Sequence, residues 1–165
     1  ELLSSWLIRL AHANGFKVHS FVSRHFGASR QVWTRDIDHS APRWLLEGLG
    51  RGTGLSAQRL HELTLGALET RAFERLNAKG STAWVLPVAT YHRTRRRAGQ
   101  QFCPLCLASD PEPYLRRSWR LAMFAVCEIH GVLLADRCGD CGGPVVPHRM
   151  DMDSRHACPL GCTLG

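Results

Sequence analysis

Apolar residues in the first half of the chain recur at helical steps. Leu2, Leu3, Trp6, Leu7, Leu10 and Ala11 share one face of a first helix, which Asn14-Gly15 stops. Val18, Phe21, Val22 and Phe26 form a second such face, closed by Gly27. Pro42 opens a third helix at its first turn, where a missing N–H costs nothing, and Trp44, Leu45, Leu46 and Leu49 fall on it. Gly50-Arg51-Gly52-Thr53-Gly54 breaks that helix, and Ser56 is the N-cap of a fourth that turns Leu60, Leu63 and Leu65 inward. Helix, glycine-rich turn, helix across 42–66 predicts a helix-turn-helix whose second helix presents Ala57, Gln58, Arg59, His61 and Glu62 outward. An αα-hairpin that only packs is the plainer reading of the same pattern. Trp6, Trp33, Trp44 and Trp84 are core or interface positions, with core the simpler assignment.

The last third changes character. Periodicity fades, and all seven cysteines plus one histidine sort into the pairs Cys103–Cys106, Cys127–His130, Cys138–Cys141 and Cys158–Cys162. Eight donors fill two tetrahedral sites, and zinc in a closed structural site takes four N or S ligands. Twenty residues separate the first two pairs and sixteen the last two, close to known finger spacings, so sequential use is expected. The first ion would take Cys103, Cys106, Cys127 and His130, and the second Cys138, Cys141, Cys158 and Cys162. A cross-braced arrangement is the alternative. Gly139, Gly142 and Gly161 fall where a knuckle needs a permissive backbone. His148, His156, Asp151 and Asp153 are poorer-placed substitutes. A disulfide framework is disfavoured by the odd cysteine count and by the lack of a visible signal peptide, which points to a reducing cytoplasm. The apolar residues between knuckles, Trp119, Leu121, Met123, Phe124 and Val126, then Val132, Leu133 and Leu134, are expected to form short strands.

No closed ligand set leaves an open metal position, and no nucleophile triad or phosphate loop is present, so an enzyme is not expected. Gly48, Gly50, Gly52 and Gly54 alternate without matching a phosphate-loop spacing. His61-Glu62-Leu63-Thr64-Leu65 has Leu65 where a zinc-protease helix needs its second histidine. A Cys127–His130 nucleophile pair would require the histidine to act as base rather than ligand.

Net charge is +7 and uneven: +8 over residues 1–100 and −1 over 101–165. The basic half hints at a nucleic-acid partner, with a solvated arginine-rich surface as the alternative. Arg93, Arg95, Arg96 and Arg97 concentrate charge in a connecting segment, 81–101, suited to phosphate contact. The expected layout is a helical domain over 1–80, that basic connection, and a double zinc-finger region over 102–165. In class terms this is α with small β: a helix-turn-helix-like domain followed by two zinc-ribbon lobes. No apolar run reaches membrane-span length. The chain begins at Glu1, as a fragment or trimmed chain would.

Gln101-Phe102-Cys103-Pro104-Leu105-Cys106-Leu107-Ala108, then Asp110, Pro113-Tyr114, Arg116 and Trp119-Arg120-Leu121, resemble the signature of the TniQ family. Cys127, His130-Gly131, Leu133 and Cys138 through Cys141-Gly142 continue it, and the stretch from Glu1 to Ala11 resembles the family's start. Gly139 departs from the family's usual proline. The chain ends three residues after Cys162, so roles that longer relatives place in a C-terminal extension are not carried over. The resemblance implies a non-enzymatic transposition adaptor with two structural Zn²⁺. Its implied partners are an AAA+ transposition ATPase, target DNA and, in CRISPR-associated transposons, an RNA-guided targeting complex. A second copy of the chain is a further candidate. An autonomous helix-turn-helix DNA-binding protein is the alternative function.

Overall fold

The computed structural model describes residues 1–77, 80–88, 90–91, 94–95, 99–149, 158 and 162–164. Helices dominate it: α1 (Leu3–Ala13), α2 (Val18–Phe26), α3 (Arg43–Thr53), α4 (Ala57–His61) and α5 (Pro104–Ser109), with 3₁₀ turns at Leu65–Leu68, Arg117–Arg120 and Pro147–Arg149. Most helix signals read from the sequence fall where their chemistry puts them; the exceptions are on α3, which runs through Gly50 and Gly52 to Thr53 instead of breaking there, and which Pro42 precedes as N-cap. Asn14 caps α1, Gly27 caps α2, and Gly54 ends α3 in the left-handed conformation that glycine adopts without strain. The Ser56 side chain accepts a hydrogen bond from the Arg59 N–H, at 3.3 Å, and so starts α4. The alternating glycines also gain one clear purpose. A Cβ at Gly48 would lie 2.4 Å from the Phe26 ring, so its absence lets α2's last aromatic close on α3.

Two buried clusters share the interior. Leu3, Leu7, Val18, Phe21, Val22, Trp33, Ile37, Leu45, Leu49 and Leu60 build the helical one. The other gathers Phe102, Leu107, Leu115, Trp119, Leu121 and Val145 around the cysteines, and it also takes in Leu2 and Leu65 from the helical part. Trp84 is not core: it is 61% exposed, and its backbone sits at φ +67°.

The expected class of α with small β is corrected. The structure is mostly α-helical and carries two Cys/His clusters, and the strands foreseen around the knuckles are absent among the described residues. Residues 117–120 turn as a 3₁₀ helix. Val126 and Leu133, Phe102 and Ala135, and Arg137 and Pro144 meet only as isolated bridges. The sole ladder among the described residues is a two-residue pairing of Thr90–Tyr91 with Thr94–Arg95, outside the knuckles. The reason is local. Each knuckle turns the chain and spends its N–H groups on its own bonds, such as Gly131 N–H to Cys127 O and Gly142 N–H to Cys138 O, both 2.9 Å. A ladder has no room to propagate.

One ion-pair network joins the halves. Arg120, with no side-chain exposure, donates to both carboxylate oxygens of Asp36 (2.5 and 3.2 Å) and to Leu86 O (3.0 Å), and lies 3.6 Å from Asp38. Asp38 in turn accepts from the Ser4 N–H and the Ser4 hydroxyl, each at 2.7 Å. Leu2 offers no side-chain cap to α1, so Asp38 caps that helix from 34 residues away. Burial pushes the Asp38 carboxyl above its usual range, reinforced by Asp36 and opposed by Arg120 and the Ser4 bonds. Arg120→Ala leaves these carboxylates without their cation and is expected to cost about 3–5 kcal/mol in urea unfolding. Arg59→Ala, removing the exposed pair to Glu62 at 2.9 Å, is expected to cost less than about 1 kcal/mol in the same measurement.

Candidate metal centres and the basic surface

Cys103 is the N-cap of α5, with Pro104 in the first turn, and its sulfur accepts from the Cys106 N–H at 3.4 Å. That knuckle faces a second, Cys127-Glu128-Ile129-His130, closed by Gly131 at φ +67°. The ligand atoms of Cys103, Cys106, Cys127 and His130 all lie within 4.8 Å of one another. Cys106 Sγ is 3.5 Å from Cys127 Sγ, and His130 presents Nδ1 at 3.6, 3.3 and 3.7 Å from the three sulfurs. A tetrahedral ion with bonds of about 2.3 Å to sulfur and about 2.0 Å to nitrogen needs S···S edges of about 3.8 Å and S···N edges of about 3.5 Å. The donor set therefore fits such an ion. Cys103, Cys106 and Cys127 are buried beneath it.

Cys138, Cys141, Cys158 and Cys162 form the second group under the same 4.8 Å limit, with Cys141 Sγ 3.7 Å from Cys158 Sγ. Gly142 repeats the device of Gly131, at φ +67° directly after the knuckle's second ligand. Of the three glycines singled out by spacing, Gly142 has this conformation, Gly139 does not, and Gly161 lies outside the described residues. The grouping is sequential rather than cross-braced. His148 takes no place in either cluster, and Asp151, Asp153 and His156 lie outside the described residues.

The electrostatics of both clusters call for a cation. Burial first, and then the neighbouring Cys127 and Cys103 sulfurs, push the Cys106 thiol up to about 12. Cys162 is pushed up to about 12 chiefly by Cys158. Burial also opposes ionisation of Cys127, but N–H groups of His130 and Ile129 outweigh it and bring that thiol to about 6. Four crowded donors cannot all shed protons unaided, whereas a bound cation stabilises every thiolate at once.

Around the first cluster the signature residues brace one another. Arg116 pairs with both oxygens of Asp110, at 2.9 and 3.0 Å, and its guanidinium lies over Tyr114 and Trp119 at 4.4 and 4.9 Å. The family model for TniQ matches residues 1–134. The chain belongs to the TniQ family. TniQ proteins are non-catalytic accessory factors of transposition, working with its machinery and with DNA, and this chain is one of them. The match takes in the helical part and the whole first cluster and stops before the second. No match was found among curated proteins or solved structures. No described helix is long and apolar enough to cross a membrane.

Of the residues expected to touch nucleic acid, two have described side chains. Arg59 and His61 are exposed on α4, with Arg59 held by Glu62. Arg93, Arg96 and Arg97 lie outside the described residues, and Arg95 is described only as backbone paired with Thr90. The sequence reading missed Asp36, Asp38 and the role of Arg120, which no local pattern marks. In elemental analysis, Cys127→Ser and Cys141→Ser are each expected to lower bound metal by about one equivalent, independently. Gly131→Ala must hold a left-handed backbone costing about 1–2 kcal/mol, and competition with a chelator should show metal affinity falling about tenfold.

Proposed function

We propose that this TniQ protein is a target-selection adaptor linking target DNA, or a targeting complex, to an AAA+ transposition regulator. In this reading the Cys/His clusters each hold one structural Zn²⁺. The carrying observation is that the helical part and the first cluster, which together make up the family match, are locked to each other through buried Arg120. A body fixed in this way suits a part that must hold two partners at a set geometry. Thiolate-rich sets with no spare position favour zinc as a scaffold over zinc as a reagent. Residues 1–80, 81–101 and 102–165 serve as binding surface, basic connection and metal scaffold.

The reading as an autonomous base-reading protein has less support. Its recognition helix, α4, spans five residues, and Arg59 is ion-paired within it. Co-sedimentation with an AAA+ transposition ATPase tests the adaptor. The protein should pellet with ATP-bound ATPase and stay in the supernatant without nucleotide. Absence of association in every nucleotide state would sink the proposal. Zinc uptake should also release protons and weaken steadily as pH falls anywhere below about 12, measured by indicator titration, because Cys106 and Cys162 are protonated throughout that range and must ionise to bind.

A further inference from the structure

Between Leu2 and Arg35 the chain has no Asp or Glu, while Arg9, Lys17, Arg24, Arg30 and Arg35 all fall there. Arg9 is consumed by Glu1 and Glu112. The buried face of α2 is Val18, Phe21 and Val22, so its other face carries His19, Ser23, Arg24 and His25 to the surface. Beside it opens a cleft of about 400 Å³, walled by α2, the loop after it and the Pro147–Arg149 turn. Arg30, Gln31 and Ser23 line it from the helical part, and Arg149 lines it from the metal-bearing part. No carboxylate is among its lining residues. Among the described residues, no acid pairs with Arg30 or Arg149.

The cleft is held open by rigid aromatic packing. His148 stacks on Trp33 at 4.8 Å and 17°, with His19 edge-on at 5.7 Å, and Trp33 and His148 are both buried. That stack fixes the turn that carries Arg149. On the other side, the Arg30 guanidinium lies over the Trp44 ring at 4.7 Å. There it also lines a second cleft of about 600 Å³ with His25 and Arg51. The one carboxylate in this second cleft, Glu47, is paired with Arg43 at 2.7 Å. Arg30 is therefore the shared wall of two adjoining cationic clefts. A single small anion would use one of them, whereas a strand with regularly spaced charges can use both.

The geometry points to a nucleic-acid backbone site on this face, in which Arg30 and Arg149 contact phosphodiesters across the joint between the two halves. It deepens the DNA-facing arm of the adaptor reading and rests on it. Neither Arg59 nor His61 of α4 is among the residues lining the two clefts. Guanidinium groups match phosphate oxygens, and phosphate contact fixes position without reading sequence. A strand held here would be bound only by a chain whose halves are docked.

The test measures anisotropy of labelled 30-mers, duplex DNA and single-stranded RNA, across a salt series. Wild type is compared with Arg30→Ala/Arg149→Ala, Arg30→Lys/Arg149→Lys and Arg137→Ala, the last a surface-charge control from the metal-bearing part. Thermal unfolding and metal content are checked for each. Loss of two phosphate contacts should reduce the slope of log K against log salt by about 1.8 for the duplex. Affinity should fall roughly tenfold to a hundredfold at 0.1 M salt. The lysine pair should keep the slope, and Arg137→Ala should match wild type. The stronger-binding arm identifies which nucleic acid supplies the phosphates. A slope unchanged in the double alanine variant overturns the site while leaving the adaptor's nucleic-acid arm standing. Wild type that binds neither nucleic acid overturns both. Equal displacement of the nucleic acid by polyglutamate of matched charge also overturns the assignment, because the face would then be a general polyanion surface.

Discussion

Arg120 is the constraint on which the arrangement depends. It sits on a 3₁₀ turn in the metal-bearing part, yet its charge is balanced by Asp36 and Asp38 from the helical part. A guanidinium with no solvent access loses its hydration, so these carboxylates and Leu86 O must replace it. Asp38 has a second task, since it caps α1 through Ser4. Its backbone carbonyl also takes the Leu65 N–H at 2.8 Å. The start of α1, the 36–38 loop, the turn at Leu65 and the residue before Leu121 are therefore fixed by one network. Around it, Leu2 N–H to Leu115 O and Leu115 N–H to the Ser5 hydroxyl, each 2.9 Å, sew the same seam. Such pairs add little net stability over a well-packed apolar substitute, but they specify geometry, because a misdocked state strands a buried charge.

The metal clusters do in the second half what helix packing does in the first. Met123, Val126, Ile129 and Leu133 are all substantially exposed, so the knuckle loops are not organised by burying their own apolar residues. Their buried atoms are largely the ligand sulfurs and the apolar groups beneath them. Closing these loops costs chain entropy that a small core could not offset, and a bound cation would supply the missing free energy. The second cluster lies beyond the family match, yet it is not an appendage to the fold. The chain leaving Cys138 and Cys141 returns through Val145, buried in the core, to His148, stacked on Trp33.

What was legible in the sequence follows from range. α1 to α3 are written in local periodicity, with Gly27 and Gly54 as punctuation, although α3 continues through Gly50 and Gly52, where a break was expected. The eight donors could be grouped because ligand chemistry tolerates few alternatives. Three features were illegible because they rest on long-range contact. The α1 cap comes from 34 residues away. The apolar run at 119–134 looked like strands, because spacing alone does not distinguish a residue beside a core from one on a metal loop. Trp84 looked like core because size and hydrophobicity say so, but a left-handed backbone turns it out to solvent. The candidate phosphate face was hidden for another reason: net charge by halves shows a basic region but not which cations their neighbours neutralise.

That last distinction bears on how an adaptor of this kind divides its surface. Arg43 and Arg59 are prominent in the sequence, but each is answered by an acid one turn along, Glu47 and Glu62. Helix pairs of this kind lower the local potential around Arg43 and Arg59, whereas Arg51 of the same α3 still lines the cleft that Arg30 shares. Among the described residues Arg30 and Arg149 have no such acids, and they stand on opposite sides of the seam that Arg120 governs. A strand that used both clefts would run along α3, past Trp44 and Arg51, so a protein partner docked on α3 would compete with it. Arg120, buried between the helical and the metal-bearing parts, holds Arg30 and Arg149 on one continuous face before any ligand arrives, and that is what would let a face built from both parts act as one surface.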